Sequence, residues 1–263
     1  MLQKSISLKV AWDLFWVQKK WTLWFIAVIL VVHIVKIVSI FKTQNSYEDF
    51  FISSYISSSI YMFVIGIISV FSFLPFYVGH GVTRKDLLSG GAIAALGLSV
   101  GIALSSWVLG SIEHMIIHLM NLPLTIDNSS INELVGENDD GLFASLLINV
   151  VASPFIDPNS NFLLLIVVYS LNILTYYFIG WLIGAGYYRF DWITGFGFIA
   201  LALVFFMIGD LIWGSSIAQP FSNWLPFSKL ALPLYASIIG TILLSGVLLL
   251  IIRQLTSKVA IKM

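Results

Sequence analysis

The sequence predicts an all-α integral membrane protein with six transmembrane helices, and three observations carry that prediction. Of 263 residues, 59% are hydrophobic and only 10% are charged, against roughly 25% charged in a soluble domain. Mean hydropathy is +0.98, and apolar runs long enough to span a bilayer recur with short polar breaks between them. Lysine and arginine gather in alternate breaks, the asymmetry of a chain threaded back and forth across a membrane. A formal net charge of +0 leaves no basic field for nucleic acid, and zero cysteines remove disulfides, thiolates and cysteine metal sites together.

Residues 1–20 read as an amphipathic helix lying in the headgroup layer of the cytoplasmic face. Leu8, Ala11, Trp12 and Phe15 fall on one face at helical spacing, and Lys9, Asp13 and Lys20 on another. No small-residue cleavage site follows the first apolar run, so that run is read as a retained span and not a signal peptide.

The spans fall at about 21–41, 51–78, 87–117, 162–185, 193–217 and 231–252, within a single transmembrane domain covering 1–263. Pro75 is expected to bend the second. The third holds Gly90, Gly91, Gly97 and Gly101, and the spacing of Gly97 to Gly101 lets another helix come close; Gly180 and Gly184 repeat it in the fourth. Packing within the bundle is preferred to a dimer interface for both pairs.

An even number of spans puts both termini on one side, and charge selects the side. With the termini cytoplasmic, Lys4, Lys9, Lys19, Lys20, Arg84, Lys85, Arg189, Arg253, Lys258 and Lys262 are inside, against Lys42 and Lys229 outside. The outer loop 121–161 then carries no lysine or arginine but six carboxylates: Asp127, Glu133, Glu137, Asp139, Asp140 and Asp157. Within it, 142–155 is apolar yet too short to cross and ends beside Pro154, which fits a re-entrant or interfacial outer helix. A seventh span there would send Arg253, Lys258 and Lys262 outside, against the charge rule. The segment 218–229, with Pro220 and Pro226 among aromatics, reads as a broken piece dipping into the outer interface.

Ionisable residues within spans are few, each costing about 2.5–3.5 kcal/mol at the bilayer centre. Lys36 and Asp210 sit at similar depth in the outer half, as an ion pair or with Asp210 lining a polar path while Lys36 snorkels. His33 is read as a packing histidine. His114 and His118, at i and i+4, share one helix face with Glu113 beside them, but without the His-Glu-x-x-His order of a zinc peptidase, so interfacial polarity is preferred to a metal site. The stretch 195–200 matches a dinucleotide fingerprint only formally, since no strand precedes it. No Gly-x-x-x-x-Gly-Lys-Ser/Thr occurs, so ATP energy would have to enter through another chain.

Between the second and third spans lies Gly79-His80-Gly81-Val82-Thr83-Arg84-Lys85-Asp86, a polar, glycine-punctuated connector ahead of a span rich in small residues. In this connector and in the six-span layout the chain resembles the ABC type-2 exporter permeases, transmembrane subunits without an ATPase domain of their own. The resemblance implies a coupling helix at Gly81, Val82, Thr83, Arg84, Lys85 and Asp86, with Thr83 as its cap, resting on a separate ATPase subunit. It also implies a second cytoplasmic contact at Tyr188, Arg189 and Asp191, an N-terminal helix flanking the ATPase, and outer helices closing a translocation path. A second permease copy or homologue would complete the assembly; ATP and magnesium would belong to the partner, with no cofactor and no catalysis in this chain.

Apolar spans and an aromatic fraction of 15% suit a hydrophobic or amphipathic cargo such as a peptide, an antimicrobial or a lipid-like molecule. The isoleucine-rich, arginine-poor composition suits the plasma membrane of a low-GC bacterium. Two other classes stay open: a non-transporting scaffold, sensor or immunity protein acting through the acidic outer loop, and an intramembrane enzyme built on Glu113, His114 and His118.

Overall fold

The computed structural model of the chain describes residues 6–43, 49–120, 161–190, 192–213 and 232–257. Residues 121–160 of the acidic outer loop, with the expected short helix at 142–155, lie outside these, as do the 218–229 segment and Asp191. Among the described residues six helices follow in order: α1 (Ile6–Thr43), α2 (Phe50–Gly79), α3 (Arg84–Leu119), α4 (Phe162–Arg189), α5 (Trp192–Trp213) and α6 (Leu234–Ser257). Each is long and apolar enough to cross a membrane, which is the architecture of a multi-pass membrane protein. Among the described residues there is no strand. The shortest helix, α5 with 22 residues, is about 33 Å long, against a hydrocarbon core of about 30 Å.

Local chemistry sets where the helices begin. Asp49, Thr83 and Asn161 are N-caps whose side chains accept from the backbone N–H of Phe51, Asp86 and Leu163, each satisfying one of the orphan donors of a first turn. Pro233 precedes α6, and its carbonyl accepts from Ala236 and Ser237 at 2.8 and 3.2 Å. α2 carries on through Pro75 for another turn, to Gly79.

The centre of the bundle is α4, whose Tyr169, Ile173 and Leu182 have no exposure at all. It runs beside α2 in the same direction, with partners advancing together from Ser54–Tyr169 to Ile67–Gly184. The seam is tight because three glycines line it. A Cβ on Gly66 would run into the Tyr177 carbonyl, one on Gly180 into the Phe63 carbonyl, and one on Gly184 would lie 2.9 Å from the Ile67 carbonyl. Backbone therefore meets backbone, the close approach that small residues permit between membrane helices. Gly97 faces the Phe15 ring of α1 at 3.3 Å, whereas Gly101 has nothing within 4 Å. α3 packs along α1, while α5 and α6 close the other side of α4.

Two expectations change on this framework. Residues 6–20 do not form a separate helix lying flat; they continue unbroken into the first span and stand beside α3, where Val10, Ala11 and Leu14 are 4%, 5% and 2% exposed. The reason is the small residue opposite: a Cβ on Gly90 would sit 2.8 Å from the Ser7 carbonyl. The buried stripe is Val10, Leu14, Gln18 and Thr22, while Leu8 and Trp12, expected on the apolar face, are exposed. Nor is there a separate short helix between α2 and α3. Three residues after the His80 cap, Thr83 caps α3 directly, so Arg84, Lys85 and Asp86 form the first turn of a 36-residue helix.

Candidate functional site

The α2–α3 turn, the C-terminal ends of α4 and α6 and the start of α1 all meet at one end of the bundle, here the turn end. The turn is compact. Gly81 has φ +85, a left-handed conformation that glycine takes without Cβ strain. Its N–H donates to the Val78 carbonyl at 3.1 Å, and that of Val82 to Tyr77 at 3.0 Å. Thr83 and Asp86 bind each other twice: the Thr83 hydroxyl donates to the Asp86 carboxylate at 2.6 Å and accepts from the Asp86 N–H at 3.2 Å. This reciprocal cap holds the charged turn in register with α3.

The two arginines singled out from the sequence converge on one target. Arg84 Nη1 donates to the Ser257 carbonyl at 2.7 Å; Arg189 Nη1 donates to the carbonyls of Gln254 and Leu255 at 2.9 and 3.0 Å. All three acceptors belong to the last described turn of α6, the end towards which its backbone carbonyls and negative dipole point, and the Gln254 carbonyl also accepts from the Ser257 hydroxyl at 3.0 Å. The α2–α3 turn and the end of α4 are thus tied to each other through α6. Lys85 remains exposed on the outside of this knot and Val82 half-buried against the core. Tyr188 is buried, edge-on to Phe71 with centroids 6.1 Å apart. Asp13 of α1 accepts a hydrogen bond from the Tyr77 hydroxyl at 2.5 Å, bringing α1 into the same end.

The predicted Lys36 and Asp210 are not brought together. Lys36 is on the exposed face of α1, Asp210 is buried, and α1 has no packing contact with α5. Asp210 instead borders a cleft between α4, α5 and α6.

At the far end, His33 pairs with a carboxylate in place of simple apolar packing. Its Nε2 is 2.9 Å from Glu113 Oε1, with both side chains about a tenth exposed or less, and Glu113 Oε2 also accepts from the Phe50 N–H at 3.1 Å. His114 turns to Asp49 at 3.5 Å, so Glu113 and His114 serve different partners although they are neighbours in sequence. His118 is exposed, and among the described residues no group of three His, Asp or Glu side chains is placed to hold a metal ion.

Sequence reasoning missed the polar hubs of the interior. The Tyr177 hydroxyl meets Ser69 at 2.8 Å and Gln18 at 3.3 Å, joining α1, α2 and α4. The Tyr169 hydroxyl meets Ser54, Ser58 and Ser106 at 3.3, 3.2 and 3.1 Å, joining α2, α3 and α4. The signal was present as Gln18, Thr22 and His33 at helical spacing in α1 and as the serine run of α2.

Comparison with family models, with curated proteins and with solved structures finds no match to this chain.

Proposed function

We propose that the chain is the membrane permease subunit of an ABC-type exporter, moving a hydrophobic or amphipathic substrate with ATP hydrolysed by a separate subunit. The observation that carries this reading is the arginine knot: Arg84 and Arg189, from two different connections, grip the same terminal turn of α6. A permease without its own nucleotide site needs a rigid lever that passes a push at its surface to several spans at once. The capped turn is such a lever, and the exposed Lys85 offers a charge to a partner. The orientation follows from the same end: Lys9, Lys19, Lys20, Arg84, Lys85, Arg189 and Arg253 all belong to the half of the bundle nearer the turn, which supports a cytoplasmic placement of that end and of both chain ends in a bacterial plasma membrane. A second permease copy and two ATPase subunits complete the proposed assembly.

The test is purification in mild detergent with mass-spectrometric identification of bound subunits. Lys85→Glu, which leaves the knot intact, is expected to release a co-purifying ATPase. Arg84→Ala is expected to retain the ATPase but uncouple its hydrolysis from the membrane domain. A chain that purifies without any nucleotide-binding subunit would overturn the proposal.

A further inference from the structure

α1 is longer than a bilayer is thick. Its 38 residues make about 57 Å of helix against a hydrocarbon core of about 30 Å, so it passes through a headgroup layer. Its neighbours on α2 mark where. The Asp13 carboxylate accepts from Tyr77, which stands just before the His80 cap of α2, and Trp21 stacks on Phe73 with centroids 6.1 Å apart. Residues 12–16 of α1 are therefore level with the end of α2, where an apolar span gives way to the polar turn.

At that level the two sides of α1 differ in chemistry. Val10, Leu14 and Gln18 are buried against the bundle, and the opposite side carries Lys9, Trp12, Trp16, Lys20 and Leu23 at intervals of three and four residues. Trp12, Trp16 and Leu23 are 63%, 43% and 56% exposed. Lys9 and Lys20 are exposed as well, and neither has an ion-pair partner among the described residues. The two indoles meet edge to face with centroids 5.7 Å apart, and the Lys19 ammonium sits 4.4 Å over the Trp16 ring. Asp13 is the one carboxylate of this stretch, and Tyr77 of α2 engages it. Three cations against one committed carboxylate, set on an aromatic platform, complement a layer of negative charge above apolar chains.

We infer that this outward face of α1 seats anionic phospholipid. Lys9, Lys19 and Lys20 meet the phosphate headgroups, the indoles of Trp12 and Trp16 lie at headgroup level, and acyl chains run along Leu23 toward the middle of the bilayer. A zwitterionic lipid fits the rings and the apolar part but brings the lysines no net charge. The face stands on α1 alone and does not depend on an ATPase partner.

The experiment is a thermal-shift titration of the intact, delipidated chain in neutral maltoside detergent with dioctanoyl phosphatidylglycerol, dioctanoyl phosphatidylcholine and hexaglutamate. Phosphatidylglycerol is expected to bind at least about fivefold tighter than phosphatidylcholine at low salt, the factor one lysine gives at an anionic surface, and to lose most of that margin at high salt. Lys19→Gln with Lys20→Gln, which leaves the buried stripe of α1 in place, is expected to bring the two lipids within about twofold of each other. Arg253→Gln, at an exposed position of α6, is expected to keep the preference, since α6 has no packing contact with α1. Equal binding of the two lipids by the unaltered chain overturns the inference. So does hexaglutamate binding as tightly as phosphatidylglycerol, which would assign the face to an acidic protein segment. A preference undiminished in the lysine double variant, or lowered as far by Arg253→Gln, overturns it too. The first two readings need no variant. Lys85 is unaltered throughout, so retention of a co-purifying ATPase is scored separately and failure of the lipid face is told apart from failure of the permease reading.

Discussion

The α2–α4 seam makes a sharp prediction because the same substitution should have opposite signs at two glycines. At Gly180 an added Cβ meets the Phe63 carbonyl, a backbone atom that no side-chain rotation can move aside. Overpacking costs roughly 1–3 kcal/mol, and a backbone obstacle belongs at the upper end of that range. Removing helical glycine entropy returns only about 0.5–1 kcal/mol. Gly180→Ala should therefore destabilise by about 2 kcal/mol. At Gly101 nothing lies within 4 Å, so Gly101→Ala should keep the gain of about 0.5–1 kcal/mol with no clash. The two variants then differ by about 3 kcal/mol, or roughly 6–12 °C in Tm at about 2–4 °C per kcal/mol. Melting in detergent, followed by the monodisperse fraction on size exclusion, measures the gap. Melting temperatures within roughly 2 °C of each other, less than about 1 kcal/mol apart, would refute the claim that α2 and α4 touch through backbone at this glycine.

Other substitutions probe the hubs and the turn. Tyr169→Phe removes an oxygen that reaches Ser54, Ser58 and Ser106; at about 0.6 kcal/mol for an average hydrogen bond within a membrane protein, the loss should be about 1–2 kcal/mol, read as a lower Tm. His33→Leu leaves Glu113 with the Phe50 N–H but without its imidazole and should cost roughly 1–3 kcal/mol; a double-mutant cycle with Glu113→Gln should return a coupling above about 0.5 kcal/mol. Gly81→Ala forces a side chain into φ +85 and should cost about 1–2 kcal/mol, whereas Gly79→Ala, with open space around it, should not lower Tm.

The bundle's broad plan could be read without coordinates. Hydropathy locates spans because a bilayer leaves an apolar run few alternatives to a helix, and Thr83 declares itself as a cap by standing three residues before Asp86. Gly97, Gly101, Gly180 and Gly184 were visible as small-residue spacings, but spacing does not name the partner: three of them meet a neighbouring helix and Gly101 meets none. The N-terminal segment misled because Trp12 and Leu8 look like an apolar face made for the headgroup layer, whereas the face that α1 buries is set by α3, where Gly90, some eighty positions away, lets the α1 backbone come close.

By itself, then, the sequence determined six apolar helices and the alternating placement of charge, since both follow from transfer free energies that each segment carries alone. Tertiary structure decided that His33 faces Glu113, that Asp210 borders a cleft and does not meet Lys36, and that Arg84 and Arg189 hold one helix end. Those outcomes depend on which helices pack and at what rotation, and rotation is set by contacts between residues far apart in the chain that no local pattern records.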